Sequence, residues 1–156
     1  MPLKKLMEFL DKNGVKYVSI RHSPAYTAQE IAGAAHIKGQ NLAKTVMVKI
    51  DGRLAMAVLP ARCRVDLDRL KQARSAQSVE LATEAEFTRL FPDCEAGAMP
   101  PFGNLYDLPV WVDTTLTSDD QIAFNAGTHS DLVQMAYKDF ERLAAPEITD
   151  FCRVAA

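Results

Sequence analysis

No stretch of this sequence stays apolar for the roughly 18 residues that a membrane-spanning helix needs. Its hydrophobic content, 48% of 156 residues, is therefore read as core. Cysteine is scarce: three residues, at 63, 94 and 152, an odd number without a CxxC pair. That pattern argues against a disulfide framework and for a reducing compartment. The three histidines, His22, His36 and His129, lack metal-ligand spacing, so no metal site is expected. GxGxxG, the Walker A loop, HExxH and the GxSxG elbow are all missing, which removes the usual signatures of dinucleotide binding, P-loop chemistry, zinc proteolysis and serine hydrolysis. Charge of one sign is missing too. Eighteen basic residues against twenty acidic ones give a net charge of −2, so the chain is no polycation. Met1-Pro2-Leu3-Lys4-Lys5 leads into an amphipathic pattern rather than a signal peptide, and a cytoplasmic location is expected.

The chain is long enough for one domain with a proper core, and no linker, repeat or low-complexity tract divides residues 1–156. Leu3, Leu6, Met7 and Leu10 have helical spacing, with Gly14 as a stop. Val15 to Arg21 reads as a strand. Thr27-Ala28-Gln29-Glu30 is a capping box that should open a short helix over Ala28 to Ala35. Leu42 to Ile50 and Arg53 to Pro60 flank Asp51-Gly52, a strong hairpin signal. A helix is expected from Asp66 or Asp68 to about Ala73, a short strand at Ser78 to Leu81, and a second capped helix from Thr83 to before Pro92. Strands follow at Leu108 to Asp113, Gln121 to Ala126 and Leu132 to Tyr137, then a helix near Lys138 to Ala144. Hairpins and helices interleave without regular βαβ repeats. The expected class is α+β: a single domain with a mixed, largely antiparallel twisted sheet flanked by helices.

Three places carry candidate chemistry. Lys44 lies in the strand Leu42 to Ile50, where alternation puts it with Leu42, Val46, Val48 and Ile50 on the more apolar face. A cation there loses hydration. Either its stem snorkels out at the strand end, or it lines a pocket where positive charge is useful. The segment from Gly97 to Gly103 holds two prolines and two glycines, which fix a shaped loop whose free backbone groups can hold a water or a small ligand. Phe124-Asn125-Ala126-Gly127-Thr128-His129 follows a strand. Gly127 permits a sharp turn that either aims His129 into a cleft or leaves it on the surface. The basic run Arg62 to Arg74 carries Arg62, Arg64, Arg69, Lys71 and Arg74 against Asp66 and Asp68. It reads as a solvated helix face or as a weak, salt-sensitive phosphate contact.

In order along the chain, His22-Ser23-Pro24-Ala25-Tyr26-Thr27-Ala28-Gln29-Glu30-Ile31-Ala32, Leu42-Ala43-Lys44-Thr45-Val46, Ala57-Val58-Leu59-Pro60-Ala61, the Gly97–Gly103 loop and Gly127-Thr128-His129 together resemble the YbaK/prolyl-tRNA synthetase-associated editing domain. This family contains freestanding aminoacyl-tRNA deacylases. The resemblance implies a trans-editing hydrolase that removes a mischarged amino acid from tRNA, with tRNA-Pro favoured, and works without metal or cofactor. Lys44 matches the family's active-site lysine, and Gly97 and Pro101 its water-placing loop. Thr45, Met99, Pro100, Phe102, Gly103, Gly127 and His129 fall where the family borders its aminoacyl pocket. The implied partner is the acceptor end of an aminoacyl-tRNA, with a synthetase or elongation factor as a further partner and neither membrane nor DNA. Which amino acid is removed stays open. Two other readings remain: a non-catalytic module that binds aminoacyl or nucleotide ends, and a hydrolase of other small esters or thioesters.

Overall fold

A computed structural model describes residues 3–22 and 41–154. The expected helix at Ala28 to Ala35, and most of the motif beginning at His22, lie outside the described residues.

The hairpin is the clearest case of local sequence dictating structure. Asp51 and Gly52 take φ values of 50° and 80°, the paired positive values that a two-residue turn with the right twist requires. This turn sets the register of β2 (Ala43–Ile50) on β3 (Arg53–Pro60), from Ile50 opposite Arg53 to Ala43 opposite Pro60. β2 and β3 are inner strands of a mixed sheet of order β5–β2–β3–β6–β9. Here β5 (Val79–Leu81) runs antiparallel to β2, while β6 (Val110–Asp113) and β9 (Glu147–Thr149) extend the sheet in parallel. A second, antiparallel sheet is β1 (Tyr17–Arg21), β8 (Asp131–Ala136) and β7 (Gln121–Asn125) in the order β1–β8–β7. A two-stranded ribbon joins β4 (Cys63–Val65) to β10 (Cys152–Val154). The structure is thus α+β with mixed, largely antiparallel pairing, as the segment pattern predicted.

The helices end where their caps say they should. α1 (Lys4–Lys12) buries Leu6 and Leu10 and stops at Gly14, whose φ is 65°. α2 (Leu67–Arg74) opens on Asp66, whose carboxylate accepts the Arg69 amide at 3.1 Å. α3 (Glu84–Phe87) has the full capping box: the Thr83 hydroxyl caps the Glu86 amide, and Glu86 reaches back to the Thr83 amide at 2.9 Å. α4 (Tyr137–Ala144) buries Tyr137, Phe140 and Ala144 and ends on Ala145 in the left-handed region, just before Pro146.

Sequence reasoning missed β4, β9 and β10, each three residues long. It also erred on the cysteines. Cys63 and Cys152 lie 5.3 Å apart between Cα atoms and are joined by a disulfide. A separation of 89 residues hides that pairing from any spacing argument. Cys94 is free.

The two faces of β2 are both covered, which alternation alone did not foresee. Ala43 and Met47 enter the larger core with Met56, Val58, Phe87, Met99, Phe102 and Phe124. Val48 and Ile50 enter a second core with Leu59, Cys63, Leu70, Trp111 and Phe151. Leu42 packs on Ala123 and Leu132 in a third, smaller cluster.

Candidate active site

β5 pairs with β2 only at Val48, Lys49 and Ile50. At the other end, Leu42 makes a single parallel bridge to Ala123 of β7. Between these contacts, no strand among the described residues pairs with this edge of the first half of β2. A strand edge can meet a ligand with side chains from both of its faces. Here those side chains are Lys44 and Thr45.

Thr45 and Met47 on one face, together with Val46, line a cavity of about 240 Å³ with Leu81, Ala82, Glu84, Phe87, Gly97 and Met99. It is compact and mostly apolar, with one hydroxyl and one acid. α3 supplies Glu84 and Phe87, and α3 is tied to β2 because Lys49 forms ion pairs with Glu80, at 3.1 Å, and with Glu86. The lysine and the Thr83 amide hold the Glu86 carboxyl well below the usual range, at about 2. Two larger hollows hold no residue of the expected site. One, of about 440 Å³, lies around Arg53, Arg74 and Trp111, and the other, of about 530 Å³, runs along β1 and β8.

On the other face, Lys44 is half-buried. Burial pulls its proton affinity below that of an ordinary lysine, and the Arg64 guanidinium lowers it further. Lys44 does not line the Gly97 cavity. Thr45, Val46 and Met47 are the β2 residues that share that lining with Gly97 and Met99. Lys44 leaves on the face it shares with Leu42 and Val48. Among the described residues, the buried Asn125 Oδ1 at the end of β7 has no hydrogen-bond partner.

The loop and the late glycine element are brought together. Glu95 N–H donates to Gly127 O at 2.8 Å, and Gly127 N–H donates to Ala98 O at 2.9 Å. The His129 amide donates to Glu95 Oε1 at 2.6 Å, and its ring Nε2 lies 2.9 Å from Ala96 O. His129 is thus a clasp on the loop, half-exposed rather than aimed freely into a cleft. The Thr128 hydroxyl donates to Asp131 Oδ2 at 2.7 Å, and Arg21 pairs with the same carboxylate at 3.5 Å, which fixes the turn from below. Gly97 needs its glycine for conformation (φ 84°), whereas Gly127 needs it twice over: φ is 97° and a Cβ would lie 3.0 Å from that of Leu3.

Not all of the expected loop faces the cavity. Pro100 and Pro101 are buried. Phe102 is fully buried, edge-on to Phe9, Phe124 and Phe140 at centroid distances of 5.6, 5.7 and 5.3 Å. Gly103 is needed for packing, since a Cβ there would strike Leu108 O at 2.2 Å. Phe102 and Gly103 therefore hold the loop from the core side. Sequence reasoning missed Glu95, Thr128, Asp131 and Arg64 as supporting groups. Arg64 lay in the basic run and Thr128 in the late glycine motif, but nothing local gave either a supporting role or pointed to Asp131. Among the described residues no group of three or more His, Cys, Asp or Glu is arranged to hold a metal ion. No helix among them is long and apolar enough to cross a membrane.

Comparison with known proteins bears on the family and the fold. The profile of the family described as "Aminoacyl-tRNA editing domain" matches residues 22–143. The chain is 31% identical over 160 residues to the Multifunctional Ser/Thr-tRNA deacylase ProXp-y of Escherichia coli strain K12, covering 97% of this chain and 93% of that protein. Among solved structures, one described as a candidate trans-editing enzyme for prolyl tRNA synthetase superposes with a TM-score of 0.82 at 21% identity, covering 96% of each chain. Another, known only as a hypothetical protein, gives 0.85 at 19% identity, with 96% of this chain and 100% of that chain covered. At these identities the solved structures bear on the fold alone.

Proposed function

The chain belongs to the aminoacyl-tRNA editing domain family, and from that premise we propose that it is a trans-acting deacylase that clears a mischarged amino acid from tRNA in the cytoplasm. The observation that carries this reading is the edge of β2 that no strand covers among the described residues, where Thr45 lines a small cavity shared with Gly97 and Met99 while the next residue back, Lys44, presents a half-buried cation.

An aminoacyl ester is already activated, so no strong nucleophile is required. Water adds to the ester carbonyl, the bond to the terminal ribose oxygen breaks, and free amino acid and tRNA leave, with the water's protons shared between the new carboxyl and the ribose oxygen. The protein holds ester and water together, which removes much of the entropic barrier. It also offsets the charge that develops on the carbonyl oxygen. In our assignment the amino-acid side chain enters the Thr45–Gly97–Met99 cavity. Lys44 anchors the ester or terminal phosphate from the other side of the edge. The Gly97 loop, with Pro101 bracing it and His129 clasping it, aims the water. Editing by a second small pocket matches a physical limit, since a synthetase pocket rejects a substrate smaller by one methylene by only about 1–3 kcal/mol. The E. coli relative is named for Ser/Thr-tRNA, and a small pocket with one hydroxyl suits small side chains. tRNA-Pro is the favoured tRNA, and a synthetase or elongation factor the favoured further partner.

The test is a panel of mischarged tRNAs and the matching free aminoacyl esters, assayed with pure protein. The proposal expects hydrolysis of at least one small aminoacyl-tRNA, faster than that of its free ester. Binding without turnover would favour a recognition module, and equal rates on both substrates a general esterase.

A further inference from the structure

β4 and β10 form a ribbon in which Arg64 and Arg153 are directly opposite each other, both exposed. Directly opposed like charges on a strand pair repel and destabilise it. Some cations of the fold have acids placed for them: Lys49 has Glu80 and Glu86, Arg21 has Asp131, Arg69 has Asp66 and Arg142 has Asp139. Among the described residues neither Arg64 nor Arg153 forms an ion pair. The ribbon is held regardless, because the Cys63–Cys152 disulfide joins its strands and Asp113 Oδ1 accepts the amides of Phe151 and Cys152 at 2.7 and 2.9 Å. The fold thus fixes a repulsive pair in place by other means.

The pair is also next to the site. Lys44 is opposite Leu59 in the hairpin, Ala61 N–H donates to Leu42 O at 2.9 Å, and the chain returns at once as β4. The Arg64 guanidinium is near enough to act on the charge of Lys44, and Arg153 lies opposite Arg64 across the ribbon, so the pair adjoins the site. Arg62, nearby, has Asp119 in its field, so its charge is partly matched. A pair of opposed arginines beside a third cation complements a polyanion.

We propose that the Arg64–Arg153 ribbon binds the phosphodiester backbone of the RNA acceptor end and thereby positions the terminal nucleotide over Lys44. This rests on the editing assignment in naming RNA as the polyanion. Bound phosphates relieve the repulsion between the arginines, and the contact carries no sequence information. It also explains how a protein of net charge −2 holds RNA: the positive field is local.

The test is the affinity of the whole protein for an uncharged acceptor-stem RNA hairpin as a function of salt, which does not depend on turnover. Arg153→Glu places an acid opposite Arg64, so the ribbon gains an attraction and the fold is not put at risk. The variant is expected to keep or raise the melting temperature while the dissociation constant for the hairpin rises roughly tenfold at low salt and the log–log salt slope falls by about 1 to 2. Arg153→Gln should give a smaller change in the same direction. In deacylation the loss should fall on KM for aminoacyl-tRNA, with kcat within about twofold. An unchanged affinity and slope in Arg153→Glu would overturn the inference. So would an equal KM effect on aminoacyl-tRNA and aminoacyl-adenosine, because the arginine would then act without touching the backbone. A wild-type protein that binds the hairpin with the expected slope but hydrolyses no ester would defeat the editing assignment and leave the ribbon's role standing.

Discussion

Lys44 is the residue whose environment makes the strongest chemical statement. Burial and Arg64 both act against its charged form, so its pKa lies below the ordinary lysine value of 10.5. If the ammonium is the working form, deacylation holds up to that lowered pKa and falls as pH rises through it. The basic limb of kcat/KM, corrected for spontaneous ester hydrolysis, should therefore lie below pH 10.5. Arg64→Gln removes one of the two causes and should move the limb to higher pH. A limb that does not shift would separate Arg64 from the site. Gly127 makes a second residue-level prediction, on stability. Its φ of 97° and the 3.0 Å approach to Leu3 penalise any Cβ. Gly127→Ala should cost about 1–3 kcal/mol, seen as a melting temperature lower by roughly 2–4 °C for each kcal/mol.

α3 and the ribbon show how elements support the cavity. α3 is four residues long and cannot stand by propensity. It depends on its capping box and on Lys49. Because the Glu86 carboxyl sits at about 2 when folded, against 4.5 when free, its stabilising contribution is present above pH 4.5 and is lost as pH falls toward 2. Urea midpoints measured across that window should decline in the wild type and decline less in Glu86→Gln. The ribbon adds a redox dependence. Closing a loop of 89 residues limits the unfolded chain by at most about 4–5 kcal/mol, so reductant should lower the melting temperature and Cys152→Ser should abolish that response. At this level the sequence was readable wherever the signal was local. Asp51-Gly52, the Thr83–Glu86 box and the Ala145-Pro146 stop all mark real boundaries. β4, β9 and β10 escaped because three residues carry no period and their partners are far along the chain. The packing of Phe102 on Phe9, Phe124 and Phe140 was not legible, because an aromatic in a Pro/Gly loop has the same sequence signature whether it faces a ligand or the core.

Taken whole, the molecule uses its two main sheets to bring together chemistry that the sequence scatters. β2 supplies Lys44 and Thr45, the Gly97 loop supplies shaped backbone, and the β7–β8 turn supplies Gly127 and His129. The order of these pieces was legible, as was their likeness to one family. What was not legible is which face of β2 meets which partner, because both faces are buried and, among the described residues, β5 pairs with only the second half of the strand. The central claim is that the edge of β2 hydrolyses aminoacyl-tRNA with Lys44 at its working end. The most direct measurement is the single-turnover deacylation rate of Lys44→Ala against wild type, on whichever mischarged tRNA the wild type clears, with circular dichroism and melting recorded on the same samples. The account predicts a loss of roughly 10²-fold or more in a protein that remains folded. A folded Lys44→Ala protein that deacylates at the wild-type rate would contradict it.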